Sequence, residues 1–168
     1  SSGDTWEQVA KLNAEISDRQ PSDCFGYSVD ISGNYAIVGT RLDDEAAEQA
    51  GAVYLFKNEG SDTWTLQNKF MPDEETNSNY RWNGYGYEMG SIAIDGDYFV
   101  VGVRYDDYDA DGHYLYNAGS AYIYKNTAGT WAKVKEITAS DRQETDYFGY
   151  SVSISGDTIV VGAYKENP

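Results

Sequence analysis

Apolar and polar residues alternate over short runs of this chain, and in no window do apolar residues recur at a sustained helical spacing. Phe25, Tyr27, Val29 and Ile31 mark one such run, Phe25 to Ile31, with the period of two that a pleated strand imposes. The turn Ser32-Gly33-Asn34 follows. Gly beside Asn or Asp tolerates the left-handed backbone of a tight hairpin. A run rich in Val and Ile, Tyr35 to Gly39, returns from it. Further on, Val53 to Lys57 and Trp64 to Phe70 make a second pair. These four runs, strands A to D in order, predict an antiparallel unit and no helix.

The unit repeats. Ser17 to Gly33 recurs as Ser140 to Gly156 at a constant offset of 123 residues, and a divergent copy, Ser91 to Gly102, lies between them. Strand B recurs as Tyr98 to Gly102 and Thr158 to Gly162, strand C as Ala121 to Lys125, strand D as Trp131 to Ile137. Trp6, Trp64 and Trp131 keep step, and so do Gly39, Gly102 and Gly162. Repeat architectures are built this way. Four-stranded antiparallel units of about 60 residues predict the blades of an all-β propeller.

Trp6 to Ala14 has the place of a strand D that closes a preceding blade, giving 11 strands in all. The expected division is 1–16 for that last strand, 17–71 and 72–139 for two complete blades, and 140–168 for the first two strands of another. Propellers have about 4–8 blades, so 168 residues in two complete and two partial blades do not close a ring. Three explanations stand side by side: a stretch of a longer propeller, a ring or filament completed by other copies, or part of a larger repeat protein. In each, further blades or other copies are partners for the open ends.

Several of these blocks resemble the FG-GAP repeat. They are the Phe-Gly of strand A (Phe25-Gly26, Phe148-Gly149), Val161-Gly162-Ala163 closing a strand B, Gly51-Ala52-Val53-Tyr54-Leu55-Phe56 at strand C, and the Trp that opens strand D. The resemblance implies the β-propeller of integrin alpha chains and of many secreted bacterial and algal proteins. It also implies an extracellular or cell-surface location and a role in recognition or adhesion. The chain departs from the family pattern at Gly39-Thr40-Arg41, Gly102-Val103-Arg104 and Gly162-Ala163-Tyr164. The middle copy has Tyr85-Gly86-Tyr87-Glu88-Met89-Gly90 in place of Phe-Gly, a lengthening that predicts a bulge.

Charge narrows the partners. With 28 acidic and 12 basic residues the formal charge is −16, which repels phosphate backbones and anionic membranes. Nucleic-acid binding and membrane insertion are not expected. The lone Cys24 excludes an intrachain disulfide framework and a Cys-based zinc cluster, and the start of the chain shows no apolar leader. His113 is the one histidine, with no nucleophile at a recognisable spacing, so a non-enzymatic module is expected. Carboxylate pairs of the glycosidase kind stay open, since their separations are invisible in sequence.

Antiparallel connectivity puts the B–C loops and the D-to-A connections at one end of the blades. Residues 14–24, 41–50, 72–84, 104–118 and 139–147 there hold 17 of the 28 acidic residues. An anionic face of this kind either keeps the protein soluble or attracts a cation or a cationic partner. Asp107-Tyr108-Asp109-Ala110-Asp111-Gly112 matches the start of a calcium loop, which makes Asp107, Asp109 and Asp111 candidate Ca²⁺ ligands. Against it, Ala118 stands where a bidentate Glu is wanted, Leu115 where an integrin-like loop has an acid, and integrin-type loops lie in the A–B turn.

Loop aromatics are the second candidate. Trp82, Tyr105 and Tyr108, with Asp43 and Asp44, are the expected contacts for a protein or glycan ligand. Tyr80, Tyr85, Tyr114 and Tyr116 lie nearby, whereas Trp6, Trp64 and Trp131 are expected to pack within or between blades. The expected function is a recognition or adhesion module; the alternative is a structural repeat of a surface sheath, layer or filament.

Overall fold

Ten strands form in a computed structural model that describes residues 5–15, 23–43, 45, 51–71, 89–109 and 111–166. They are β1 (Phe25–Ser32), β2 (Tyr35–Thr40), β3 (Ala52–Asn58), β4 (Trp64–Phe70), β5 (Met89–Asp95), β6 (Tyr98–Val103), β7 (Ser120–Thr127), β8 (Thr130–Ile137), β9 (Phe148–Ser155) and β10 (Thr158–Ala163). Two four-stranded sheets run β1-β2-β3-β4 and β5-β6-β7-β8, and β9 and β10 form a two-stranded third. Every pairing is antiparallel between sequence neighbours. These are propeller blades, as the alternation and the repeat predict, and the described residues contain no helix.

The A–B turns put Gly33, Gly96 and Gly156 at φ of 57°, 56° and 54°, a left-handed backbone that costs glycine little. Just inside each A strand the register slips: between Phe25 and Ser28, Met89 and Ser91, and Phe148 and Ser151. The bulge expected of the middle copy therefore belongs to all three, and it falls on the Phe-Gly position. Residues 72–88, with the expected Tyr85 to Glu88, lie outside the described residues.

Blades stack face to face, with their A strands side by side. Between the first two, Ile37, Val53 and Leu55 meet Ile92, Ile94, Phe99, Val101, Tyr124 and Trp131. Phe99 stacks on Tyr124 at 4.4 Å, and Phe70 and Tyr35 reach across edge-on to Phe99 and Trp131 at 5.2 and 5.4 Å. Such aromatic pairs each contribute about 0.5–1.5 kcal/mol beyond simple burial. Trp131 thus packs between blades as its repeat position predicts, and Trp64 is half-buried.

Two expectations fail at the start of the chain. Residues 5–15 form no strand, and Trp6 is 96% exposed. The segment forms no ladder with a described strand. It is held by side chains, with Leu12 and Ala14 packing on the cluster of Ala36, Val38, Tyr54 and Phe56 beside Trp64 and Leu66.

The second and third blades approach most closely at Phe148-Gly149. Gly119 pairs with Phe148 in a parallel bridge, and a Cβ on Gly102 would overlap the Gly149 carbonyl. At the equivalent Gly39 an added Cβ meets the Ser28 hydroxyl instead, a group that can rotate away. Gly102→Ala should therefore cost about 3 kcal/mol or more, and Gly39→Ala about 1 kcal/mol or less. Denaturant titration of the two variants checks this, and hydrogen exchange should place the Gly102→Ala loss in β9 and β10.

Candidate functional site

The loop between β6 and β7, residues 104–119, is the most elaborate feature at the acidic end. Its base is an aspartate removed from water. Asp106 is 7% exposed and accepts from the Ser120 and Tyr122 hydroxyls, both at 2.6 Å, and from the Tyr108 amide at 3.1 Å. Burial first, and the Asp106 charge after it, push the Tyr122 phenol well above its usual range, so Tyr122 stays a donor. The first blade repeats the device: buried Asp43 accepts from Tyr54 at 3.1 Å and pairs with Lys69 at 2.8 Å. Asp23 and Asp146, 123 residues apart, are buried as well. Among the described residues, four loop acids are therefore inside the protein, where a carboxylate needs polar partners to stay.

Above Asp106 the backbone turns back on itself. Tyr108 bridges Tyr114, the Leu115 amide donates to the Asp107 carbonyl at 2.7 Å, and the Gly112 amide donates to the Asp109 carbonyl at 2.9 Å. Asp109 is the keystone of the tip. Its carboxylate accepts from the Asp111 amide at 3.0 Å, the His113 amide at 2.9 Å and the imidazole at 3.1 Å. Partial burial pushes its pKa up, but the His113 and Asp111 donors outweigh that and hold it below the usual carboxylate value.

The connection from β8 to β9 clamps the loop from outside. Amides of Thr145, Tyr147 and Phe148 donate to the carbonyls of Tyr116, Asn117 and Ala118. Arg142, its side chain 6% exposed, donates to the His113 carbonyl at 3.1 Å and lies 3.9 Å from Asp109.

Of the three candidate calcium ligands, the structure brings Asp109 and Asp111 together, with His113 as third member. Asp107 points elsewhere and accepts from the Asn117 amide at 2.5 Å. Ca²⁺ takes six to eight oxygens, whereas this group offers two carboxylates and an imidazole, a nitrogen donor that suits transition metals better. Asp109 is already engaged by N–H donors, and the Arg142 guanidinium stands close by. These three side chains alone do not fill a calcium shell.

The expected partner contacts also rearrange. Asp43 is buried and bonded, so it is withdrawn from any partner surface; its side chain is needed to hold the loop. Tyr105 lies half-buried, edge-on to Tyr147 at 5.4 Å and under Arg104, which also covers Tyr150. Tyr108 packs against Tyr114 at 5.2 Å. Trp82 and Asp44 lie outside the described residues. What the loop presents is Asp111, His113, Tyr114 and Tyr116, the two tyrosines 54% and 51% exposed. Arg142 was the residue that the sequence hid, although Ser-Asp-Arg-Gln stands in both copies of the repeat.

The sequence profile of the FG-GAP repeat matches residues 6–56 and 131–168, more than half of the chain. The chain belongs to the FG-GAP repeat family. The profile passes over 57–130, yet the middle FG-GAP blade has the same four-strand order as the first. A search of the curated proteins found no match.

Asp107 gives the site a pH signature. Burial raises its pKa, with Asp106 adding to the rise, while the Asn117 amide opposes it. A carboxyl raised in the folded state favours folding when protonated, and that advantage is lost as pH rises through its folded pKa. Asp107→Asn, which keeps an oxygen for the Asn117 amide, should therefore stabilise the protein at pH 7. Solvent screening keeps the gain to a few tenths of a kcal/mol, roughly one degree in Tm. Thermal melts across pH should show the gain vanishing below the ordinary carboxylate value of 3.8.

Proposed function

We propose that this FG-GAP repeat segment is a non-catalytic, extracellular recognition module, and that the 105–118 loop is its contact surface for a basic protein partner. The observation that carries this is the exposure of Tyr114 and Tyr116 beside Asp111 on a loop already fixed by its own hydrogen bonds. Tyrosines held rigid before binding lose little entropy on contact and are frequent binding hot spots. A net charge of −16 steers cationic surfaces toward such a loop. The extracellular assignment follows the family and suits the acidic composition.

Arrays of purified extracellular proteins and glycans test the reading. Basic proteins should be retained by the soluble chain, and retention should fall as salt rises above physiological strength. Replacing Tyr114 and Tyr116 together by Ala should weaken binding roughly tenfold or more, while Lys57→Ala, at the opposite end of the blade, should leave it unchanged. Retention of neutral glycans irrespective of salt would assign the loop to sugars instead.

Binding in this reading does not depend on calcium, because the Asp109 carboxylate is engaged by the protein's own N–H donors. Calorimetric titration with millimolar Ca²⁺, with Mg²⁺ as control, should give no specific heat, and partner retention should survive a chelator. Saturable Ca²⁺ uptake that disappears in Asp111→Ala would make the module calcium-dependent.

A further inference from the structure

The first blade carries a reactive grouping that the second does not repeat. Lys69 of β4 lies opposite Tyr54 of β3, and its ammonium reaches Asp43, just beyond β2, at 2.8 Å. Both side chains are shut away from water, 13% and 3% exposed. A second carboxylate, Glu45, meets the same nitrogen at 2.6 Å. The Tyr54 hydroxyl donates to Asp43 Oδ2 at 3.1 Å, and the Glu45 amide donates to Oδ1 at 3.2 Å. The Tyr54 ring forms a wall of the group, 5.2 Å from the Lys69 nitrogen, and Phe25 covers that ring edge-on at 5.3 Å.

The second blade holds the same loop by other means. Glu136 lies opposite Tyr122 where Lys69 lies opposite Tyr54, and Asp106 is held by the Ser120 and Tyr122 hydroxyls. Anchoring the loop therefore does not require a lysine at that position of the blade.

We propose that Lys69 and Asp43 join in an intramolecular amide, an isopeptide bond that the folded protein forms by itself. Glu45 carries a proton from the Lys69 ammonium to Asp43 Oδ1, leaving a neutral amine, the nucleophile, beside a neutral carboxyl. The amine lone pair forms a bond to Asp43 Cγ, and the Tyr54 hydroxyl stabilises the negative charge that gathers on Oδ2. A second amine proton follows the same route to Oδ1, the Cγ–Oδ1 bond breaks, and Oδ1 leaves as water. One ammonium and one carboxylate thus become one amide and one water, with no oxidant or co-reactant. The 2.8 Å contact supplies the proximity that such a reaction needs. Two buried charges are costly to keep from water, and the amide removes both. The bond ties the end of β2 to β4, and a cross-link of this kind acts chiefly by restricting the unfolded chain. A disulfide cannot do this within a sequence whose one cysteine is Cys24.

Intact-mass spectrometry of the whole folded chain tests the proposal. The purified protein should be lighter than its sequence by one water, and digestion should release a branched peptide that joins the segments holding Asp43 and Lys69. Lys69→Arg keeps the charge and should show its full mass. Asp43→Asn should lose ammonia in place of water, because nitrogen then leaves from the same carbon. Glu45→Gln, at the most exposed member of the group, should couple roughly a hundredfold more slowly. Circular dichroism matching the parent separates a lost reaction from a lost fold. A folded parent chain with the full mass of its sequence overturns the proposal. So does a water loss that persists in Lys69→Arg, since it then belongs to another site, such as ring closure at Asp111-Gly112.

Discussion

Everything distinctive about this protein depends on how closely neighbouring blades approach at their inner strands. Phe148-Gly149 enters so near Gly102, Gly119 and Ser120 that backbone touches backbone. Packing of that kind leaves no space for a side chain and removes polar backbone groups from water, so each must find a partner. The bulge at the Phe-Gly position is the local answer. It sits directly after Thr145, Tyr147 and Phe148, whose amides pair with the carbonyls of residues 116–118. The same close approach thus bears on both the blade spacing and the 104–119 loop, and a change at the contact reaches that loop without touching its tip.

The aspartates of the loop end do two opposed jobs. Asp43 and Asp106 are buried and hold loops to the sheets, and buried Asp146 accepts from the Gln143 amide of its own connection. Asp111 is exposed, and Asp109 lies between these extremes, its charge spent on the amides and imidazole of its own turn. The structure therefore presents a smaller negative surface than the loop composition suggests. The remaining charge is organised around tyrosines rather than gathered into an oxygen cage.

Sequence revealed the blades almost in full because strand and turn signals are local. Alternation over Phe25 to Ile31 and Gly next to Asn or Asp each report on a few adjacent residues. The 123-residue repeat then fixes their order. It misled where a residue's role depends on something distant. Trp6 shares its spacing with Trp64 and Trp131, yet residues 5–15 pack on the first blade by side chains without joining a ladder. Asp43 and Asp106 look like any loop acids, because burial by Tyr54 or Tyr122 is a matter of tertiary distance. Asp107, Asp109 and Asp111 alternate as calcium ligands would, but alternation converges on an ion only if the backbone curls inward. Here the Asn117 amide takes Asp107 away from the other two.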